Sequence, residues 1–241
     1  MNDHYSVLVN AGIVVVLSQD MAEQETRDVL QSLLFAQLVA NKKYPGYALA
    51  PKWYDEYREV LKNAWLQKTV TWNNFSVDGT CYLNAAHWLG RCLGESVDRT
   101  TTDNVTVLLN RVAKLPGTLP AMEQLRGHTY KRRDSALPHV NDESTGRVNL
   151  QVVLAQPGPL LSSAYLSYET SQTDLSNPLE QCLSVANVVG NVQSRCFQAG
   201  LSNELYEPLR GAIVQKLGDR PAEHIFDISS SVEFDPSGAT P

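Results

Sequence analysis

The run Gly79-Thr80-Cys81-Tyr82-Leu83-Asn84-Ala85 sets a cysteine just after a glycine turn, at the head of a stretch with helical spacing. A helix N-terminus favours the thiolate, and the thiolate is the nucleophilic form. A nucleophile of this kind needs a base, and the histidines that could serve are His128, His139 and His224, the last with Asp227 nearby. The same cysteine also opens an ordinary apolar stripe, Cys81, Ala85, Trp88 and Cys92, at helical spacing. Such a stripe is a core face and carries no chemistry.

The heptad resembles the nucleophile segment of papain-like cysteine peptidases, viral leader proteinases and ubiquitin-specific peptidases among them, which share a Gly-x-Cys-Tyr/Trp-x-Asn run. That resemblance implies Cys81 as nucleophile and His224 or His128 as base, with His224 at a papain-like sequence distance. It covers the heptad and nothing more. The chain departs from the family where an oxyanion donor belongs: no Gln or Asn holds the usual upstream position, and Asn74 is merely close.

Other chemistries find less support. Cys81, His87 and Cys92 cannot converge on one metal ion, because at 100° per residue His87 projects away from the face the two cysteines share. No metal site is therefore expected, and no cofactor. There is no Gly-x-Ser-x-Gly elbow and no glycine-rich phosphate loop after a strand. No two carboxylates stand at a spacing that defines a general acid and base. Trp53, Tyr54, Tyr57, Trp65 and Trp72 could line a ligand pocket, but their helical and strand spacing reads more simply as core.

Composition narrows the partners. A net charge of −6 argues against a broad nucleic-acid or anionic-membrane surface, since both need a basic field. Lys131-Arg132-Arg133 is the local exception, and beside Asp134 in a polar stretch it reads as a solvated loop. The apolar segment from Tyr5 to Leu17 has no basic residue ahead of it and is too short to span a bilayer. The chain is thus expected to be soluble, with the cytoplasm as its default compartment. Without an export signal, Cys81, Cys92, Cys182 and Cys196 are expected as free thiols.

The elements that must position these residues predict an α+β fold, with N-terminal helices packed on a C-terminal, mostly antiparallel sheet in one domain over 1–228. Val7 to Val16, broken at Asn10-Ala11-Gly12, reads as a hairpin. A helix is expected over 21–40, capped by Asp20 and Glu23, and a second from Pro51. A strand follows over 68–77, with Val70 and Trp72 on one face and Thr69 and Thr71 on the other. Helices are expected over 80–93 and again from Thr102 to Pro116. The helical part occupies about 20–125, and the polar run 126–147 is read as a long connection. Strands are expected at 148–155, 164–170, 179–187 and 192–198, the last two joined by a tight turn at Val189-Gly190. A helix over 203–217, a strand over 224–228 and a disordered Ser-rich tail over 229–241 complete the strand-rich part.

Two stretches resemble a known family. One is the run Val29 to Lys43 followed by Trp53-Tyr54-Asp55-Glu56-Tyr57. The other is Leu205-Tyr206 with Leu209-Arg210, Ile213, Lys216-Leu217-Gly218 and Ile225 to Ile228. Together they resemble the Evf-type virulence factors. The resemblance implies a compact mixed fold without a known catalytic site, in a family where one member carries a fatty acyl group on a cysteine. No cysteine here matches that acylated position. A single acyl chain alone gives marginal membrane binding, so peripheral membrane contact would require acylation and a second attachment. The sequence therefore favours a non-enzymatic interaction protein of virulence type, binding an apolar ligand, a membrane surface or a protein partner. A cysteine peptidase or acyltransferase using Cys81, with His224 or His128, is the alternative.

Overall fold

The computed structural model describes residues 5–45, 50–77, 79, 83–132, 145–172 and 174–232. The fold is α+β, and its sheet is mostly antiparallel, as the sequence predicts. Its seven-strand path runs β3-β7-β6-β5-β2-β1-β8, with β4 pairing on β5. In chain order the strands are β1 (Tyr5–Asn10), β2 (Ile13–Ser18), β3 (Trp65–Ser76), β4 (Tyr130–Arg132), β5 (Gly146–Gln156), β6 (Leu160–Thr170), β7 (Val188–Leu201) and β8 (Ile225–Asp227). The helices are α1 (Glu23–Lys43), α2 (Ala50–Leu61), α3 (Ala85–Leu93), α4 (Arg99–Ala113), α5 (Pro120–Thr129), α6 (Asn203–Leu217), α7 (Arg220–His224) and α8 (Ser229–Val232).

β1 and β2 form the hairpin expected from the Asn10-Ala11-Gly12 break, and β2 then joins β5 in parallel. Alternate residues of β2 enter different cores. Val14 and Val16 face α3, α4 and α5, whereas Ile13, Val15 and Leu17 face α1, α2 and α6. A strand this uniformly apolar must be covered on both sides, which is the pattern of a central strand. Helices accordingly pack against both faces of the sheet rather than one.

Local signals set several helix ends. Asn84 caps α3 by accepting the His87 N–H at 2.9 Å, and Asp98 caps α4 by accepting that of Thr101 at 3.0 Å. α6 has the expected bounds and closes at Gly218, whose φ of +54° suits a residue without Cβ. The start of α1 differs from expectation. Ala22 holds the cap position, and the Glu25 carboxylate accepts the Ala22 N–H at 3.3 Å in place of the Asp20 and Glu23 pair.

Four expectations are corrected. The polar run after Arg126 is not all connection, since α5 extends to Thr129 and β4 follows it. Residues 179–187 form no strand, and β7 runs unbroken from Val188, so the turn at Val189-Gly190 does not exist. Gly190, at φ +76°, instead sits where β7 bulges against β6. The buried polar residues of 174–187 bond away from any ladder. Asn177 donates to the Val112 and Ala113 carbonyls at 2.9 Å each, closing α4, while the Gln181 amide accepts from the Tyr168 hydroxyl and donates to Thr170. Finally, 229–232 is a helical turn whose Val232 is buried, so the ordered chain passes beyond Ser229.

Candidate functional site

α6 packs on α1 through apolar residues and through one charge pair that is buried on the Asp28 side. Asp28 is 2% exposed, and Arg210 donates to its two carboxylate oxygens at 2.9 and 2.8 Å. The Tyr206 hydroxyl adds a bond to the Asp28 carbonyl at 3.3 Å, and the Arg210 guanidinium lies over the Tyr206 ring. A bidentate pair fixes both distance and rotation, so it determines how far α6 stands from its neighbours. The gap that remains between α1, α2 and α6 is a cleft of about 410 Å³.

Apolar atoms dominate this cleft. Phe35 of α1, Val60 and Leu61 of α2, and Leu205, Leu209 and Ile213 of α6 form its walls, with Trp65 at its base. The polar groups at the base are turned inward. Trp65 Nε1 donates to Ser32 Oγ at 3.1 Å, and that hydroxyl donates to the Val29 carbonyl at 3.0 Å. Leu205 is 45% exposed and Leu209 38%, so apolar surface stays in water at the cleft mouth. Lys216 stands at the rim with its Nζ over the Phe35 ring, the one cationic side chain of the lining. A concave apolar site with a few polar groups at its edge has the size and character of a small-molecule pocket, for which about 300–1,000 Å³ is usual.

The aromatic residues divide. Trp53, Tyr54 and Tyr57 are core, with Trp53 stacked on Tyr57 at 5.7 Å and Tyr54 on Tyr165 at 4.2 Å. Trp65 is buried and also floors the cleft. Trp72 is 64% exposed and Val70 50%, so the face of β3 expected to be buried stands in solvent.

Of the catalytic alternative, the described residues include the two candidate bases and not the nucleophile. Cys81 and His139 lie outside the described residues. α3 spans Ala85–Leu93, so its printed start lies four positions later in sequence than the helix start expected near Cys81. His128 and His224 do come together, their rings edge to face at 5.7 Å, with Gln124 Nε2 between them. Burial, with help from His224 and Lys131, lowers the His128 pKa to about 4. Sequence reasoning named both histidines but missed Gln124, whose helical spacing to His128 was the available signal.

The free-thiol expectation holds for Cys92 and Cys196 and fails for Cys182, which is disulfide-bonded. Cys92 and Cys196 meet between α3 and β7. The Cys92 thiol is lowered by its hydrogen bond to Cys196, and the Cys196 thiol is raised by the same bond and by burial. β7 is four strands from β1 in the sheet, roughly 19 Å at the usual strand spacing, so neither thiol reaches the histidine pair at the β1–β2 turn. Among the described residues no cluster of three or more metal-binding side chains occurs, and no helix is long and apolar enough to cross a membrane.

No protein-family model and no curated protein matches this sequence. Several solved structures are similar in shape, two of them as follows. A delta-endotoxin aligns at TM-score 0.44 and 6% identity, over 78% of this chain and 80% of its own. The Evf virulence factor aligns at TM-score 0.34 and 10% identity, over 90% of this chain and 82% of its own. The Evf virulence factor is thus a weak structural neighbour, and neither alignment says anything of activity.

Proposed function

We propose that this is a non-enzymatic binding protein whose α1/α2/α6 cleft takes an apolar ligand, with a flexible hydrocarbon portion between the helices. The cleft itself carries this reading: about 410 Å³, walled by Phe35, Val60, Leu205, Leu209 and Ile213, and open to solvent. Burying apolar ligand surface there contributes roughly 25 cal/mol per Å² before the cost of immobilising the ligand. Lys216 at the rim favours a ligand with a carboxylate or other anionic end over a neutral one.

Titrating the protein with lauric acid and with dodecanol, followed by tryptophan emission and calorimetry, tests the reading. Saturable one-to-one binding is expected, tighter for the acid. Filling the cleft with Ala212→Trp, or charging it with Leu209→Glu, should weaken binding at least about tenfold without loss of fold, because both side chains are exposed. Absence of saturable binding by the wild-type chain, or unchanged binding by both variants, would overturn it.

A further inference from the structure

The histidine pair sits where the C-terminal segment 220–232 docks. Ile225, Phe226 and Asp227 pair with Asn10, Val9 and Leu8 of β1, the Ile228 N–H donates to the Val7 carbonyl at 2.9 Å, and the Val7 N–H donates to Ser229 Oγ at 2.9 Å. At the β1–β2 turn the Ala11 N–H donates to the His224 carbonyl at 2.8 Å. On the other side of the turn, a Cβ added to Gly12 would stand 3.1 Å from His128 Cβ and 3.2 Å from the His128 carbonyl oxygen. The two histidines therefore grip the turn from α5 and from the end of α7.

Gln124 joins them. Its Nε2 is 3.3 Å from His128 Nε2 and 2.6 Å from His224 Nδ1. An amide nitrogen donates twice and accepts nothing, so both ring nitrogens facing it must be bare. With Gln124 Nε2 as donor, His128 presents Nε2 and His224 presents Nδ1 as the accepting atoms. Adding a proton to either ring sets an N–H against the amide N–H, and adding both sets two cations with ring centres 5.7 Å apart.

We propose that Gln124, His128 and His224 form an acid-sensitive latch, which holds segment 220–232 on β1 while Gln124 bridges the two rings and frees it when His128 takes a proton. Release uncovers the outer edge of β1, whose Val7 and Val9 are fully buried in the closed form.

Among the described residues, the surroundings supply no buried counter-charge that would stabilise a protonated His128 inside the latch. His224 and Lys131 both oppose a charge on His128. α5 further carries Glu123 and Arg126, α7 carries Arg220 and Glu223, and β8 carries Asp227, with every carboxylate among them exposed to solvent. The turn and α1 present Asn10 and Gln37, which are uncharged and bonded to each other. The sign follows from burial. His128 titrates near 4 when closed and near 6.5 when open to water, so closure is at full strength above about 6.5. Below that it weakens by about tenfold per pH unit until about pH 4.

Hydrogen–deuterium exchange of the full chain between pH 7.5 and 4.5, corrected for intrinsic rates, tests the latch. Segment 220–232 and β1 should open about tenfold more per unit below about pH 6.5, while β5 and β6 keep their protection. His128→Phe should flatten the profile. Gln124→Glu, which can accept from protonated rings, should make closure stronger in acid than at neutral pH. A flat wild-type profile, or one left unchanged by both variants, overturns the proposal. Should the variants fail to fold, the imidazole NMR titration of the wild type decides: a His128 resonance that titrates near 6.5 overturns the latch, and one near 4 supports it.

Discussion

β2 and β3 lie toward opposite ends of one sheet and meet water differently. β2 is buried on both faces, from Ile13 to Leu17, beneath helices on either side. β3 runs from Trp65 to Ser76 as the terminal strand, paired among the described residues to β7 alone, and after Trp65 no residue of it is buried. The difference shows that a β-branched, aromatic strand sequence does not specify burial. Burial depends on which strands the helices reach. An exposed edge of this length is open to unwanted pairing, and Lys68 together with the bulge between Gln67 and Thr69 interrupts it. Trp72 gains a partner of another kind, as Arg195 lies between its ring and that of Tyr54 at 5.3 and 5.4 Å while pairing with Asp55 at 2.6 Å.

Substitutions at matched positions sharpen this contrast. Leu154→Ala, at a fully buried site of β5, should lower unfolding stability by ~2–5 kcal/mol in urea titrations, whereas Val70→Ala on β3 should change it by less than ~0.5 kcal/mol. Comparable losses at the two sites would break the comparison. Next in size is Arg210→Leu, which strands the buried Asp28 carboxylate; a loss of ~2–3 kcal/mol is expected, moderated because Arg210 itself is partly solvated. The same variant should loosen the cleft and weaken lauric acid binding.

Acid should also separate the two ends. Since the latch closes on β1, protection there is expected to fall between about pH 6.5 and 4 while β3–β7 pairing shows no such dependence. Equal acid sensitivity at both ends would indicate global unfolding instead. The smallest effect concerns the thiols beneath β7. Iodoacetamide should modify Cys92 before Cys196 at pH 8, by mass spectrometry of the native protein, because Cys92 is the more exposed and the more readily ionised of the pair. Modification of Cys196 first would contradict that order.

Much of the framework was legible in local residue patterns. The β1–β2 hairpin, the apolar stripe of α1 and the full span of α6 with its Gly218 stop follow from periodicity and turn chemistry. Residues 179–187 misled because apolar residues such as Leu179 and Leu183 are buried without joining the sheet, in a segment held by backbone bonds to residues 83–86 and by the side chains of Asn177 and Gln181. Sequence spacing likewise made His128 and His224 candidates as partners for Cys81, whereas the described structure ties them to each other through Gln124.

What the sequence by itself determined is the set of elements whose signals are local: caps, turns, and the 3.6- and two-residue periods that mark buried faces. Only the tertiary structure decided that α6 would cross α1 through Asp28 and Arg210, leaving the cleft, and that residues 128 and 224 would close on one turn. Those contacts join positions 182 and 96 residues apart. They arise from the packing of helices on both sides of a sheet, and no local pattern encodes which distant partner fills the space.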